Sequence, residues 1–301
     1  MLERLPPSVL KMIIAMLDQQ EIRALSAVSR GLYDITAPVL FECLHIPIAP
    51  ENALLHIKNF FQCHSRLGRA RSLSLVRDLR FIVDVPERIG HRIASTPIRA
   101  DGCFPKSFGL AARLILEQLA PRKLTAFMWE FPWLPGEILG YNGYLPELQP
   151  QLTSITLSTL SPNHRESRSL SLPCEHNVDG LLRLRYLKSL CWDGIHSERQ
   201  IRILRRCLRQ NSKLEALHLS FSKGVRVDIL QIISARDMML FQNLCALSLK
   251  NVFFSWSLCI PPLLALPCLD TLVLLGCADI SSLSGYLLKR SQATQFRIGM
   301  R

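Results

Sequence analysis

The sequence lacks several features that would place it in whole classes of protein. Its ten cysteines form no Cys-x-x-Cys pair, which argues against a disulfide-stapled chain and favours a reduced compartment. No Asn-x-Ser/Thr acceptor occurs, and the most apolar stretch, 258–280, contains three prolines and Asp270, so it indicates core rather than a membrane span. The amino end shows no basic leader before an apolar core, so we expect no signal peptide. We therefore expect a cytoplasmic or nuclear protein, or one found in both compartments, without membrane association.

Patterns for catalysis and metal binding are also missing. The 14 glycines form no phosphate-binding loop, no Gly-x-Ser-x-Gly elbow occurs, and the eight histidines show no His-x-x-x-His spacing. Cys174-x-His176 has no matching second pair of ligands, so we do not expect a structural zinc site. With ten cysteines and eight histidines, a Cys and a distant His that could be imagined as a catalytic pair are expected by chance. We therefore predict no catalytic residue, no metal site and no cofactor.

The chain is long enough for a substantial core, with 301 residues of which 49% are hydrophobic and 20% charged. Its net charge of +12 is uneven, because residues 1–46 hold four basic and five acidic residues and the remainder carries +13. A change of sign near residue 46 suggests two modules with different partners. The basic part either attracts nucleic acid or acidic proteins, or is a solvated arginine-rich exterior, the interpretation we favour.

Residues 1–46 are predicted to form three short helices. The first begins near Ser8, a candidate cap, and ends near Leu17; the others cover about 21–28 and 32–41, the last with Pro38 inside it. The first helix is apolar nearly all round, with Leu10, Ile13, Ile14 and Leu17 on one stripe and Val9, Met12 and Met16 on a second. Three short helices bury little surface alone, so we expect a partner or docking onto the rest of the chain.

These residues resemble a known family. Leu5-Pro6, the Ile/Leu-rich helix, Glu21-Ile22 and Val28-Ser29-Arg30 resemble the F-box pattern, with Ser8 where that family usually has an acidic residue. The resemblance implies binding to the Skp adaptor, and through it to the cullin, of a Skp–cullin–F-box (SCF) ubiquitin ligase. The residues that it assigns to adaptor binding are Leu5, Pro6, Val9, Leu10, Ile13, Leu17, Ile22, Leu25 and Val28. The alternative is an ordinary helical cap on a repeat domain.

From residue 70 onward a Leu-x-x-Leu-x-Leu motif recurs. Clear copies begin at Leu152, Leu187, Leu214, Leu244 and Leu269, and weaker copies begin at Ala70, Leu124 and Ala293. One interval between successive copies, 54 residues, fits two repeat lengths and predicts a hidden copy. Helical patterns lie between copies at about 110–119, 197–211 and 225–239.

This period and core resemble leucine-rich repeats, and Cys277 stands where that family favours Asn or Cys. The resemblances together imply an α/β protein: a three-helix F-box at 1–46, a linker helix at 47–69 and an irregular solenoid at 70–301, with parallel strands inside and helices outside. The order of F-box, helix and the segment 71–75, Arg-Ser-Leu-Ser-Leu, resembles F-box proteins of filamentous fungi. The alternative is an unrelated leucine-rich α/β sheet.

Two insertions and one arginine stripe need separate interpretation. The insertion near 131–150 is rich in Pro, Gly and aromatic residues, and is equally a recognition element or a capping loop over the core. The insertion near 158–180 is Ser-rich and charged.

The stripe at Arg199, Arg202, Arg206 and Arg209 has the spacing of a phosphate-binding helix face, but we interpret it as the solvent face of an amphipathic helix.

Target binding is predicted on the inner, concave face of the repeat strands. The motif leucines point into the core, so the residues that alternate with them point onto the sheet surface. The predicted target-binding residues are Ser154, Thr156, Ser189, Asp193, His218, Ser220, Ser248, Lys250 and Thr271. The alternative is that small residues stand there because stacked strands are crowded, and that the insertion at 131–150 recognises the target.

The sequence thus predicts a non-catalytic substrate-recognition subunit of an SCF ubiquitin ligase. The F-box would bind the adaptor and the repeats an unknown protein target, so that the target's lysines lie near the ubiquitin-charged enzyme. Two alternatives remain: a leucine-rich-repeat scaffold without a ubiquitin role, and a basic nucleic-acid-binding repeat protein, which the lack of a nucleic-acid motif makes the weaker of the two.

Overall fold

The computed structural model describes residues 5–48, 55, 58–60, 62, 73–83, 104–131, 134–159, 177–222, 225–233, 240–254, 267–277 and 297–300. Three helices occupy the amino-terminal part, and strands of a parallel sheet with intervening helices make up the rest. No helix in these ranges is both long and apolar enough to cross a membrane.

The three expected amino-terminal helices are present as α1 (Pro7–Met16), α2 (Gln19–Val28) and α3 (Arg30–Leu40). Asp18 and Glu21 cap α2 reciprocally, each side chain accepting the other's backbone N–H at 2.8–2.9 Å. Ser29 caps α3 by accepting the Leu32 N–H at 3.2 Å. The expected cap at Ser8 is wrong, because α1 begins at Pro7, whose fixed φ suits the first turn.

A small core holds these helices together. Its buried members are Leu10, Ile14, Ile22, Leu32, Thr36 and Ala37. Thr36 satisfies its buried hydroxyl locally by donating to the Leu32 carbonyl at 2.8 Å. Helix α3 packs against both α1 and α2, so it is the centre of this unit.

In the described residues, nine strands form one parallel sheet whose order follows the sequence. The strands are β1 (Cys43–Ile48), β2 (Asp78–Val83), β3 (Ala126–Trp129), β4 (Ser154–Ser158), β5 (Ser189–Ile195), β6 (Ala216–Phe221), β7 (Ala246–Lys250), β8 (Thr271–Leu275) and β9 (Arg297–Met300). Parallel neighbours need crossover connections, and these hold α4 (Phe104–Leu116), α5 (Gly136–Leu139), α6 (Tyr144–Leu148), a 3-10 helix (Asp179–Arg183), α7 (Glu198–Gln210) and α8 (Ile229–Ile232). The predicted α/β architecture with parallel strands agrees with this arrangement.

Alternation along each strand gives the sheet one buried face and one open face. From β3 to β8 the buried positions are those of the motif: Phe127, Trp129, Ile155, Leu157, Leu190, Trp192, Leu217, Leu219, Leu247, Leu249, Leu272 and Leu274. Ile203, Leu204 and Leu208 of α7 join the same core, which places that helix on the buried side. At about 1.5–3 kcal/mol for each fully buried large aliphatic side chain, this face dominates the stability of the sheet.

The first repeat strand was expected at 70–75, and this is wrong. Leu73 is helical and the next two residues form a turn, closed by a bond from the Val76 N–H to the Leu73 carbonyl. The true copy begins at Val76, because Leu79 and Phe81 align with the buried positions of β3. Since β2 pairs directly with β3, no hidden copy separates them in the sheet.

A further copy, Phe41-x-x-Leu44-x-Ile46, forms β1 and was missed. Leu44 and Ile46 align with the buried positions of β2. Strand β1 therefore follows α3 directly. It includes residue 46, the predicted boundary between the two modules. Of the expected linker helix at 47–69, residues 55, 58–60 and 62 are helical, and the rest from residue 49 onward lies outside the described residues.

The insertion near 131–150 packs as a cap over the core. It folds into α5 and α6, and buries Phe131, Leu134, Ile138, Leu139, Tyr144 and Leu145. Tyr141 is its exposed aromatic residue within the described part, whereas Trp133 lies outside that part. The capping interpretation therefore holds for most of this segment. Of the second insertion, near 158–180, residues 160–176 lie outside the described residues.

Buried amide side chains join successive turns ahead of the strands. Gln149, ahead of β4, accepts the backbone N–H groups of Lys123 and Leu124, ahead of β3, both at 3.0 Å. Asn211, ahead of β6, donates to the Leu184 carbonyl at 2.9 Å, in the turn ahead of β5. Such bonds satisfy backbone groups that would otherwise lack a hydrogen-bond partner in a buried turn. They also fix the spacing between neighbouring strands.

Candidate functional site

The amino-terminal helices expose more apolar surface than their own packing requires. Met16 is 86% exposed, Val28 71% and Met12 69%, and Val9, Tyr33 and Val39 are also exposed. Val9, Met12 and Met16 lie on one stripe of α1, and exposed apolar side chains grouped in this way mark interaction surfaces. This set, which we call the helical surface, is a candidate docking site for a partner.

The predicted adaptor-binding residues separate into three groups by burial. Pro6, Val9 and Val28 are exposed, and Leu5, Ile13, Leu17 and Leu25 are half-buried. Leu10 is 3% exposed and Ile22 6%, so a partner cannot reach them without rearrangement. Both are core positions, Leu10 on the inward stripe of α1 and Ile22 as the buried residue of α2, and their predicted part in adaptor binding stays a prediction. Met12 and Met16, on the second apolar stripe of α1, were left out of the predicted site although that stripe already indicated them.

On the open face of the sheet, side chains stand in three rows across β4–β8. The first row is Ser154, Ser189, Ala216, Ala246 and Thr271; the second is Thr156, Cys191, His218, Ser248 and Val273; the third is Ser158, Asp193, Ser220, Lys250 and Leu275. The predicted target-binding residues all lie in these rows, so the register brings them together as expected. Whether they bind a target stays a prediction.

Ser220 departs from the expected exposure. It is buried, at 2% exposure, although its row neighbours are half-buried or exposed. Its partners in register are Asp193 and Lys250, whose longer side chains flank it on both sides. Ser220 is therefore corrected from a contact residue to the floor of the third row.

A shallow depression of about 110 Å³ lies in the first two rows, over β5–β8. Its open-face lining is Ser189, Cys191, Ala216, His218, Ala246, Ser248, Thr271 and Val273. Burial lowers the pKa of His218, with Asp193 opposing and Lys250 reinforcing the change. Burial, reinforced by Asp193, raises the pKa of the Cys191 thiol to about 11. Both groups are therefore largely neutral at pH 7, and the depression is lined without charge.

The β1–β2 edge of the open face carries a polar cluster that the sequence analysis missed. Cys43 Sγ lies 3.1 Å from His45 Nε2 and 3.4 Å from Asp78 Oδ2, and Arg80 pairs with the same Asp78 oxygen at 2.6 Å. Partial burial and Asp78 raise the pKa of the Cys43 thiol to about 11. The thiol is therefore protonated at neutral pH and does not have the activated character of a nucleophile. Among the described residues no group of three or more His, Cys, Asp or Glu is placed to hold a metal ion.

Helix α7 carries the arginine stripe on its solvent side. Ser197 caps the helix with Gln200 in a capping box, while Arg202 and Arg206 are exposed. Arg199 pairs with Asp179 at 2.7 Å, which joins the helix to the 3-10 helix. The stripe therefore lies opposite the core, as the amphipathic interpretation expects.

The comparisons with known proteins bear on the amino-terminal part. No curated protein matches the chain. The family model described as the F-box domain matches residues 2–42, which includes α1, α2 and α3. The match supports an F-box protein, and F-box domains bind Skp-type adaptors within SCF complexes.

Proposed function

We propose that this chain is a substrate-recognition subunit of an SCF ubiquitin ligase, with the F-box on the adaptor and the open face of the sheet on a target protein. The observation that carries the proposal is the F-box match over α1–α3, joined to a sheet with one face whose described side chains are mostly half-buried or exposed. The subunit itself catalyses no covalent step. It raises the effective concentration of target lysines near the charged enzyme.

The adaptor half of the proposal rests on the helical surface. Burying large side chains such as Met16 and Val28 is worth roughly 1.5–3 kcal/mol each, enough for a stable interface when several act together. The half-buried Leu5, Ile13, Leu17 and Leu25 complete the accessible part of the predicted contact. The core residues Leu10 and Ile22 support the surface from below.

The target half rests on the strand ladder, which we assign to leucine-rich repeats. Repeats of this kind present a rigid surface of alternating side chains, so little freedom is lost when a partner binds. The small side chains of the first two rows allow a partner to approach the backbone closely. We place this activity in the cytoplasm, the nucleus or both.

Co-purification with the Skp adaptor tests the proposal. We expect the full chain to retain the adaptor, and Met16→Asp combined with Val28→Asp to lose it, because both charges would be buried at the contact. Tyr141→Asp, at an exposed position in the insertion, is the control and should retain the adaptor. Retention by a folded double variant would disprove the assignment of the helical surface.

The two alternatives give different results in the same preparation. A leucine-rich-repeat scaffold without a ubiquitin role would not co-purify the adaptor or cullin. A nucleic-acid-binding repeat protein would show salt-dependent binding to RNA or DNA that Arg202→Glu and Arg206→Glu weaken, which we do not expect.

A further inference from the structure

The turns ahead of the strands lie side by side along one edge of the sheet. A ladder of backbone hydrogen bonds joins them. The Lys188 N–H, for example, donates to the Thr153 carbonyl, and the Glu215 N–H donates to the Lys188 carbonyl, both at 2.7 Å. Adjacent turns are therefore held at the strand spacing of about 4.8 Å, and their exposed side chains form a row.

Positive charge is concentrated in one stretch of this row, ahead of β3–β6. Its members are exposed cations, and we call them the basic edge: Arg122, Lys123, Arg185, Lys188 and Lys213. Lys188 pairs with Glu215 at 2.8 Å, whereas the other four form no ion pair or side-chain hydrogen bond with the described residues. Glu117, ahead of β3, pairs with Arg113 at 2.9 Å. Within the described turns of this stretch, that leaves Glu147 as the unpaired acidic side chain.

The turns on either side do not share this excess of positive charge. Ahead of β2, Arg77 is balanced by Glu42 in the adjacent turn, to which its backbone N–H donates at 2.8 Å. Ahead of β7 and β8 the described turns expose Asn243 and Asp270 and no cation. Like charges on neighbouring strands repel, so a row of unpaired cations costs stability. A partner of opposite charge removes that cost.

The neighbours of the basic edge favour a protein partner over nucleic acid. Tyr186, 65% exposed, directly follows Arg185, and both residue types are enriched in protein interfaces. Single strands of nucleic acid are held by several aromatic side chains along a basic groove, and Tyr186 is the one exposed aromatic residue in the described turns ahead of β3–β6. A continuous phosphate backbone would also meet Glu117, Glu147 and Glu215 in this stretch.

We propose that the basic edge binds an acidic segment of a partner protein in extended conformation, whose carboxylates pair with Lys123, Arg185 and Lys213. The three steps from β3 to β6 cover about 14 Å, the length of four or five extended residues. Exposed ion pairs are individually weak, so the affinity depends on several acting together and decreases with salt. This surface lies beside the open face and does not depend on the adaptor, so the inference goes beyond the proposed function.

Defined peptides test the proposal on the full chain. The probes are eight-residue peptides whose five central residues are all Glu or all Gln, and a short single-stranded RNA that carries the same number of negative charges as the Glu peptide. Fluorescence polarisation measures their affinity at low and at physiological salt. We expect the Glu peptide to bind at least about tenfold more tightly than the Gln peptide at low salt, and the difference to shrink as salt is added.

Charge-reversal variants assign the effect to the basic edge. Lys123→Glu combined with Arg185→Glu should weaken binding of the Glu peptide at least about tenfold, because two attractive contacts become repulsive. Arg202→Glu combined with Arg226→Glu is the matched control: it reverses two exposed charges on α7 and after β6, and should change the affinity less than about threefold. Lys123→Gln combined with Arg185→Gln serves as the second variant if the reversal folds poorly.

Three results would overturn the proposal: no binding of the Glu peptide at low salt, equal losses in the two charge-reversal variants, or tighter binding of the RNA than of the Glu peptide. Equal losses would mean that only the overall positive charge attracts the peptide. Adaptor co-purification should be the same for all variants, so failure of this inference is distinguishable from failure of the proposed function.

Discussion

The side-chain oxygen of Asn211 accepts the backbone N–H of Leu187 at 2.9 Å, which joins the turn ahead of β6 to the turn ahead of β5. The amide nitrogen of Asn211 completes the link by donating to the Leu184 and Cys207 carbonyls. The Leu187 N–H, the Leu184 and Cys207 carbonyls and the Asn211 amide are all buried. The residue therefore holds two neighbouring strands and helix α7 in one arrangement.

Removing this amide should destabilise the sheet without touching its open face. Asn211→Ala leaves the buried Leu187 N–H and two buried carbonyls without a hydrogen-bond partner, so we expect the free energy of unfolding to fall by about 2–3 kcal/mol. Urea unfolding followed by circular dichroism measures the change. Asn243→Ala, at an exposed position in the turn ahead of β7, is the control and should change stability little. Equal stability of the two variants would contradict the role of Asn211.

The capping insertion should depend on the close backbone approach at Gly180. A Cβ at Gly180 would lie 2.4 Å from the Gly140 carbonyl oxygen and 2.6 Å from that of Leu139. Gly180→Ala should therefore cost about 1–3 kcal/mol, because backbone must move. At Gly136 the nearest contact would be an ordinary 3.5 Å, so Gly136→Ala should be close to neutral in the same thermal unfolding assay. A neutral Gly180→Ala would mean that this segment packs more loosely than described.

His218 should make stability depend on pH. Its pKa is lowered in the folded chain by burial, while Asp193 opposes and Lys250 reinforces the change. The unfolded state therefore binds the proton more readily, and this contribution to stability is complete above about pH 6.5 and decreases as the pH falls below that value. His218→Gln should flatten the profile in that window relative to the natural chain. Parallel profiles for the two proteins between pH 7 and 5 would disprove the contribution.

The cysteines should differ sharply in reactivity. Cys207 is fully buried on α7, and burial raises the pKa of its thiol to about 12, so it should resist iodoacetamide in the folded chain. Cys268 is exposed in the turn ahead of β8 and should react well before Cys207. Peptide mapping by mass spectrometry reads both sites in one sample. Modification of Cys207 at the same rate as Cys268 under native conditions would contradict the packing of α7.

The two apolar stripes of α1 should have different roles. Leu10→Ala should lower the stability of the helical unit by about 2–5 kcal/mol, because it opens a cavity in a small core. Met16→Ala should leave stability within about 0.5 kcal/mol and weaken the adaptor complex instead. Unfolding by circular dichroism and adaptor titration separate the two effects. A Leu10→Ala chain that unfolds normally would place that residue outside the core.

The strands that the sequence analysis placed correctly are those whose motif keeps leucine at its first position. The weak copy at Ala293 was placed two residues early, because Ile298 and Met300 align with Leu272 and Leu274 of β8. Leu152, Leu187 and Leu214 mark strands where the apolar period is unbroken, and the structure has a strand at each. Phe41 and Val76 occupy the same position in β1 and β2, and these copies were missed because a leucine template does not recognise them. Burial accepts any large apolar side chain there, so sequence identity understates the structural repeat.

The site was predictable where alternation alone decides orientation. His218 and Ser248 lie on the open face because side chains alternate along a strand. The burial of Ser220 and the Cys43 cluster depend on neighbours that are distant in sequence. Burial of Leu10 could not be separated from that of Met12 by sequence, because both stripes of α1 are apolar.

The described strands follow one another across the sheet in sequence order, so the number of a strand sets its distance from the first edge. Since β1 follows α3 at once, one edge of the sheet is fixed to helices α1–α3, and every later described strand lies one step farther from them. Each step is about 4.8 Å, so the gain or loss of a single repeat would shift the far edge by that distance while leaving all other pairings unchanged. If the chain acts as proposed, the distance from the ligase to a target lysine would depend on the number of strands and would change in steps of about 4.8 Å.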